Sequence, residues 1–520
     1  MTHDDRRRGD RRGDRGRRPH DRDRRRPRDT DPRRVALGVL EEVEAHDAYA
    51  NLLLPARLAE ADLSPRDRAF ATELVYGTIR WQRLYDELIG RAARRDPDRL
   101  ARRVRWILRL GAHQTLHMRV PGHAAVNETV RLARQTREDR AAGLVNAVMH
   151  RLVDRDPADW DAELRRDLPA DRYLSVRWSH PEWIVRALRR ALAADGRLPG
   201  DDARELEALL AADDAAPVVN LVALPGIADR DTIPGAESGT VSPFGALLAH
   251  GDPADVCGHG VRVQDAGSQV AALALAAAPG DVPATASAAT AADRDATAPG
   301  SAADQTCGAT ASERWIDVCA GPGGKTALLA ALAARRQPDA SVAANEPVPH
   351  RAQLVRDALA EAGFADVPVA EGDGVTALAA GEWDRALIDA PCTGLGALRR
   401  RPESRWRKTP ADLATLTGLQ RRLLDAAVAG AHPGALIAYI TCSPHVAETR
   451  RQIEGVLERH PGALEVLDTA AVLADAGVDL AAAAAGTGFA PVGTGAPGLQ
   501  LWPHVHGTDA MFISLLRRRA

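Results

Sequence analysis

Apolar residues recur at three- and four-residue steps from Val35 to about Leu152, in "VALGVLEEV", "FATELVYGTI", "WILRLGAHQTL" and "GLVNAVMHRL". Steps of that size put them on one face of each helix, as with Leu144, Val148 and Leu152, and predict an all-helical domain over 33–155. From 156 to 260 the pattern changes. "WSHPEWIVRAL" predicts a helix entered after Pro181 and "PVVNLVALPG" a strand running into a turn, together a small α+β connector. "VQDAGSQVAALAL" then reads as a strand end followed by a helix. Beyond Trp315, short apolar runs alternate with helical stretches: "WIDVCA", "SVAANE", "VPVAEGD", "DRALIDAP", "ALIAYITC" and "MFISLL". Gaps of about twenty to forty residues leave room for a crossover helix between successive strands, so 261–520 is expected to form a doubly wound, Rossmann-like α/β sheet.

Composition alters this picture in two places. Residues 1–34 hold fifteen Arg and eight Asp with almost nothing apolar, so a disordered, net-basic tail is expected over 1–32. Such a tail serves either as a non-specific tether for nucleic-acid phosphates or simply as a solvating segment. Residues 281–312, rich in Ala, Pro, Gly, Thr and Asp without an apolar period, read as a low-complexity surface insert, and Cys307 within it as incidental. No run of eighteen apolar residues and no charged-then-apolar opening segment occurs, so a cytoplasmic protein without membrane contact is expected. The five cysteines are odd in number and lack C-x-x-C spacing, which disfavours both a disulfide framework and a metal site. Lysine survives only at Lys325 and Lys408 among abundant arginine. That directs attention to Lys325 as a position where a compact ammonium is needed.

Chemistry gathers at the predicted strand ends, where doubly wound sheets bind ligands. "DVCAGPGGKT" (317–326) is a strand ending in an acid, a Gly-rich turn and a helix start. Gly321, Gly323 and Gly324 allow a tight turn and close approach, and the helix N-terminus offers free N–H groups. A phosphate-binding P-loop needs glycine where Cys319 stands, so that motif fails. Glu346 ends the second strand, where a carboxylate can bind ribose hydroxyls; Asp373 follows the third, suited to an adenine amino group; Asp389 closes the fourth. One such acid is commonly a helix cap. Asp317, Glu346, Asp373 and Asp389 along one sheet edge favour a nucleoside cofactor.

Cys392 in "DAPCTG" and Cys442 in "YITCSP" follow the fourth and fifth strands, on loops stiffened by Pro391 and Pro444. Either alone could be a small buried hydrophobe. At adjacent strand ends they would open into one cleft. Carbon 5 of cytosine is a poor nucleophile until a thiolate adds at C6, so two thiols beside a nucleoside cradle suit covalent methylation of that base. The C5 proton must then leave before the enzyme–base bond can break, which gives a second thiol a task as base or in release.

"LRLGAHQTLHMRVPGHAAVNETVRLAR" with "GLVNAVMHRL" resembles the NusB-type RNA-binding helical domain, which implies RNA contact. From about Gln264 onward, "DVCAGPGGKT", "DAPCTGLG" and "TCSP" resemble the Sun-type RNA cytosine-5 methyltransferases, and with the helical front the likeness covers nearly the whole chain. The resemblance implies S-adenosylmethionine as cofactor, held by Cys319, Ala320, Gly321, Pro322, Gly323, Gly324 and Lys325 with Glu346, Asp373 and Asp389. It implies Cys442 as nucleophile, Cys392 in product release, Asp389 also near the cytosine ring, and an accessible single-stranded or loop cytosine of 16S rRNA as substrate. A tRNA substrate, or a non-catalytic RNA-binding assembly or antitermination role, stands as the alternative. The chain departs from the family pattern at Glu346, where Asp is commoner, and in "DAMF" (509–512) for "DGFF". "QDAGSQ" also matches the family, and is otherwise a strand-to-helix corner capped by Ser268. The arginines of "LRRRPESRWRK" are candidates for gripping the RNA backbone, with Trp406 to stack or pack.

Overall fold

The computed structural model describes residues 30–46, 48–198, 203–280, 312–495 and 497–520. The basic tail up to residue 29 and the insert through residue 311, with Cys307, lie outside the described residues. Among the described residues no helix is long and apolar enough to cross a membrane.

Helices from Pro32–His46 to Ala142–Val153 pack the apolar stripes read above into a core containing Leu40, Leu74, Ile107 and Val148. Starts follow local chemistry: Ser64 accepts from the Asp67 N–H ahead of Pro65, an N-cap with proline in the first turn. The helix expected after Pro181 is Glu182–Ala194, burying Ile184, Val185, Leu188, Ala191 and Leu192. It and its neighbours Pro157–Asp167, Ala170–Arg177 and Arg204–Asp214 join the same core, which reaches Leu209 and Leu210. A small antiparallel sheet follows, made of β1 (Val219–Ala223), β2 (Glu237–Ser238), β3 (Gly245–Leu248) and β4 (Val261–Val263), in the order β2-β3-β1-β4.

The second sheet holds β5 (Arg314–Asp317), β6 (Ser341–Asn345), β7 (Val369–Ala370), β8 (Arg385–Asp389), β9 (Leu436–Thr441), β10 (Leu464–Val466), β11 (Leu499–Gln500) and β12 (Phe512–Arg518). Its order is β7-β6-β5-β8-β9-β12-β10, with β11 on β12. β5 to β9 are parallel, and every residue of β9 is buried, as a central strand covered on both faces requires. The winding reverses between β5 and β8, so the crevice for a ligand lies at their carboxyl ends. "MFISLL" became β12 as a strand, but it runs antiparallel to β9.

The arginine-rich segment after Cys392 is divided: Arg400 and Arg401 are exposed, as a charged run would be, but Arg399 and Arg405 are buried. Arg405 is fully buried, donating to Asp214 Oδ1 at 2.6 Å and to the carbonyls of Ser179, Arg80 and Asp213 at 3.1, 3.3 and 3.2 Å. Trp406 donates to the Ile79 carbonyl at 2.8 Å, Arg399 to the Gly507 carbonyl at 3.0 Å, and Arg400 pairs with Asp509. Arg405 and Trp406 thus tie this segment to the helical region, while Arg399 and Arg400 bond to the loop that precedes β12. Arginine suits the task because its several N–H donors satisfy carbonyls that the interface would otherwise strand. Beside this knot, burial pushes the Asp213 carboxyl up to about 7. The folded protein thus retains a proton that the unfolded chain releases from the ordinary aspartate range upward, so stability from this group is lost as pH rises towards 7. Asp213→Asn is expected to flatten that slope in urea melts taken between pH 5 and 8.

Candidate active site

The cradle begins where β5 ends. Asp317 is buried, accepts from the Thr326 hydroxyl at 2.7 Å, and is pushed up to about 7 by burial. The turn closes through Gly323 N–H to the Ala320 carbonyl at 2.7 Å, and Ala320 N–H bonds the Asn345 carbonyl at 3.0 Å. Gly323 has φ of +99°, and a Cβ there would lie 2.8 Å from the Ala358 Cβ, so geometry and packing both demand glycine. The helix Gly324–Arg336 starts here, with no side chain capping its first N–H groups.

The other predicted cofactor residues border the same crevice with differing engagements. Glu346 is buried; its Oε2 accepts from Gly321 N–H at 3.1 Å and its Oε1 from Val348 N–H at 3.2 Å. Asp373 is exposed and caps the helix Gly374–Ala379 through Val375 N–H at 3.0 Å. Burial also pushes the Cys319 thiol up, which suits a wall residue better than a reactive one. Gln264, 7% exposed, has both amide atoms without a partner and lies beside Gly324. An unpaired buried amide at the mouth of a Gly-rich turn fits a polar ligand group there.

Asp389 does not stand free: it pairs with Lys325 at 2.7 Å. Burial is the largest influence on the Lys325 ammonium and opposes its charge, but Asp389, Cys442 and Asp317 together push it up. The surviving lysine is therefore a cation fixed between the Gly-rich turn and the β9 thiol.

The two cysteine loops meet. Cys392 and Cys442 are half-buried, with their sulfurs 3.4 Å apart. β8 and β9 are parallel neighbours with Asp389 paired to Ile440, which brings the two loops to one level. The contact with Cys392 pulls the Cys442 thiol down from its ordinary value, with Lys325 adding to the effect against burial and the charges of Asp389 and Asp509. The same contact pushes Cys392 well up, reinforced by burial and by the charges of Cys442, Glu448 and Asp389. The contact thereby favours the thiolate form of Cys442 over that of Cys392. Since Lys325 favours that thiolate, Lys325→Met is expected to move the pH midpoint for iodoacetamide labelling of Cys442 upward, as read by peptide mass spectrometry.

Sequence reasoning missed a third participant. Glu448, six residues after Cys442 and wholly buried, bonds the residues that follow both cysteines. An acid on a short turn carried no period or motif to mark it. In "QDAGSQ" the cap is Asp265 and not Ser268: Asp265 Oδ1 accepts from Gly267 N–H at 3.0 Å, because Ser268 already lies inside the helix Ala266–Ala277. Asp265 also accepts from Asp509 N–H at 3.1 Å, so "DAMF" supplies a fixed carboxylate beside the thiols' cleft.

A Gly-rich turn at the switch point of this sheet order, joined to a NusB-type helical domain, is the architecture of a Rossmann-like methyltransferase with a helical front domain. The family model for the 16S rRNA methyltransferase RsmB/F matches residues 306–517, and that for the NusB family matches 30–154. "Putative methyltransferase Rv1407" of Mycobacterium tuberculosis is 44% identical over 95% of this chain and 98% of its own length. "Ribosomal RNA small subunit methyltransferase B" of Pseudomonas syringae pv. tomato is 31% identical over 84% of this chain and 88% of its own. The crystal structure of PH0851 shares the fold, with a TM-score of 0.67 at 18% identity, covering 94% of this chain and 99% of that one. The chain belongs to the RsmB/F family of S-adenosylmethionine-dependent RNA methyltransferases.

Proposed function

We propose that the protein transfers a methyl group to C5 of a cytosine in 16S rRNA through a transient bond between Cys442 and C6. The observation that carries this is the 3.4 Å contact of two thiols whose proton affinities are driven apart. S-adenosylmethionine, when bound, supplies an electrophilic methyl group; the residues that would hold it are Cys319 to Lys325, Glu346, Asp373 and Asp389, with Gln264 beside the turn. The name of the Pseudomonas relative, a small-subunit rRNA methyltransferase, supports the choice of RNA.

The side chains have distinct tasks. Cys442, held as thiolate by Cys392 and Lys325, adds to C6, and the ring's electron pair moves to C5, which becomes the methyl acceptor. Once its sulfur is a thioether, Cys442 no longer accepts a proton from Cys392 or repels its ionisation. Those two influences are among the causes that push Cys392 up, so the Cys392 thiol becomes more acidic at the stage when a base is required. It yields its proton to water, takes the C5 proton, and the electrons left behind restore the ring as the C6–sulfur bond breaks. Cys442 returns as thiolate.

Reaching C6 requires an unstacked base, so the site should be an accessible single-stranded or loop cytosine. Bisulfite sequencing of RNA from cells with and without the gene tests the assignment. One 16S cytosine should lose protection in the deletion; loss confined to tRNA, or none, would contradict it.

A further inference from the structure

Glu448 is 0% exposed and has no basic side chain among its hydrogen-bond partners. Its Oε1 accepts from Thr393 N–H at 2.7 Å and from the Gln420 amide at 3.3 Å; its Oε2 accepts from the Thr393 hydroxyl at 2.5 Å and the Ser443 hydroxyl at 2.6 Å. Thr393 directly follows Cys392 and Ser443 directly follows Cys442. Gln420 also donates to the Pro391 carbonyl at 2.8 Å, so the residue before Cys392 is held by the same cluster. Glu448 is itself fixed, since the Tyr439 hydroxyl donates to its carbonyl at 2.7 Å from within β9. Burying a carboxylate costs free energy unless donors surround it. Here the donors are drawn from both cysteine loops, and a hydroxyl–hydroxyl contact of 3.2 Å between Thr393 and Ser443 closes the ring.

We infer that Glu448 is a positioning residue for methyl transfer: its carboxylate clamps the Cys392 loop to the Cys442 loop and thereby sets the distance between the two sulfurs. This rests on the reading of Cys442 and Cys392 as the reacting pair. A second effect follows from its placement. Glu448 is among the charges that push Cys392 up but is not among the main influences on Cys442, so it helps keep the proton on Cys392. Asp389, Lys325, Asp509 and Arg400 also act on the pair, and none of them links the two loops through hydrogen bonds to both.

The test compares full-length Glu448→Ala, Glu448→Gln and Cys442→Ala, assayed on small-subunit RNA from cells lacking the gene. A displacement of about 1 Å at reacting atoms is enough to lower turnover on the order of 10²-fold, and that is the expected loss in kcat for E448A, with KM for S-adenosylmethionine within about twofold of the parent. Glutamine keeps an acceptor for the Thr393 N–H, and its amide can donate to hydroxyls that rotate to accept, so E448Q should recover most of that kcat. Without the charge, the iodoacetamide midpoint of Cys392 should fall in E448Q and approach that of Cys442.

Unchanged kcat in E448A would overturn the proposal, and an unchanged Cys392 midpoint in E448Q would remove the electrostatic effect alone; should E448A fail to bind S-adenosylmethionine, Ser443→Ala, which cuts the carboxylate's hydrogen bond to the Cys442 loop, decides by the same loss in kcat. An inactive Cys442→Ala beside an unaffected E448A would discard the clamp alone. A Cys442→Ala that still turns over would instead discard the reading on which it rests.

Discussion

Cys442→Ala is expected to abolish methyl transfer, by at least about 10³-fold in kcat as befits loss of a nucleophile, while S-adenosylmethionine still binds with parental affinity in calorimetry. The separation follows from where the residues sit. The Gly-rich turn and Glu346 belong to β5 and β6, and their hydrogen bonds run to Ala320, Asn345, Gly321 and Val348, none of which touches the β9 loop. Lys325 spans the two, and its stronger partner is Asp389, which the substitution leaves in place. Alanine at 442 removes a half-buried sulfur and deprives the Cys392 thiol, a weak donor, of that contact, so the fold should be retained. Undiminished turnover would refute the assignment of the nucleophile, and lost cofactor binding would mean that the two parts of the site are not independent.

The second large effect concerns stability. Arg405→Ala is expected to destabilise the protein by about 3–5 kcal/mol, the usual cost of removing one partner of a buried ion pair. It would leave the Asp214 carboxylate buried and unpaired at the interface and withdraw the donor from three carbonyls. Burial already pushes Asp214 up, so the abandoned carboxyl would take up a proton more readily. Pairing the change with Asp214→Asn should recover part of the loss, and the urea midpoint of the first unfolding transition reads both. Because Arg405 lies thirteen residues after Cys392 on one continuous segment, the same knot anchors the far end of the loop that carries that thiol. A change below about 1 kcal/mol would show the buried pair to be worth no more than an exposed one.

What the sequence disclosed and what it hid follow one physical division. Apolar periodicity and strand-end motifs report on contacts close in the chain. The β5, β6, β8 and β9 strands, the Gly-rich turn and the meeting of two cysteine loops were accordingly readable, the last because parallel neighbours bring their carboxyl ends to one edge. Contacts made across the chain were not. Arg405 and Trp406 sit in a segment whose local composition is that of a solvated charged loop, and the helical region, 191 residues earlier at Asp214 and 327 earlier at Ile79, buries them. Glu448 likewise acquires meaning only when Thr393, fifty-five residues away, is folded against it. Asp373 illustrates the reverse case: its helix-capping bond is local, and the ordinary capping role considered for a lone strand-end acid is visible in the structure. β7 shrank to two residues because "VPVAEGD" places proline and acids in what is an edge strand.

The most direct measurement of the central claim is to incubate full-length Cys392→Ala with S-adenosylmethionine and small-subunit RNA, denature, digest and locate any RNA-bound peptide by mass spectrometry. With the releasing thiol gone, a denaturation-resistant adduct should accumulate, carrying a methylated cytosine on the peptide that contains Cys442. An adduct on any other residue, or rapid turnover with none, would contradict the account.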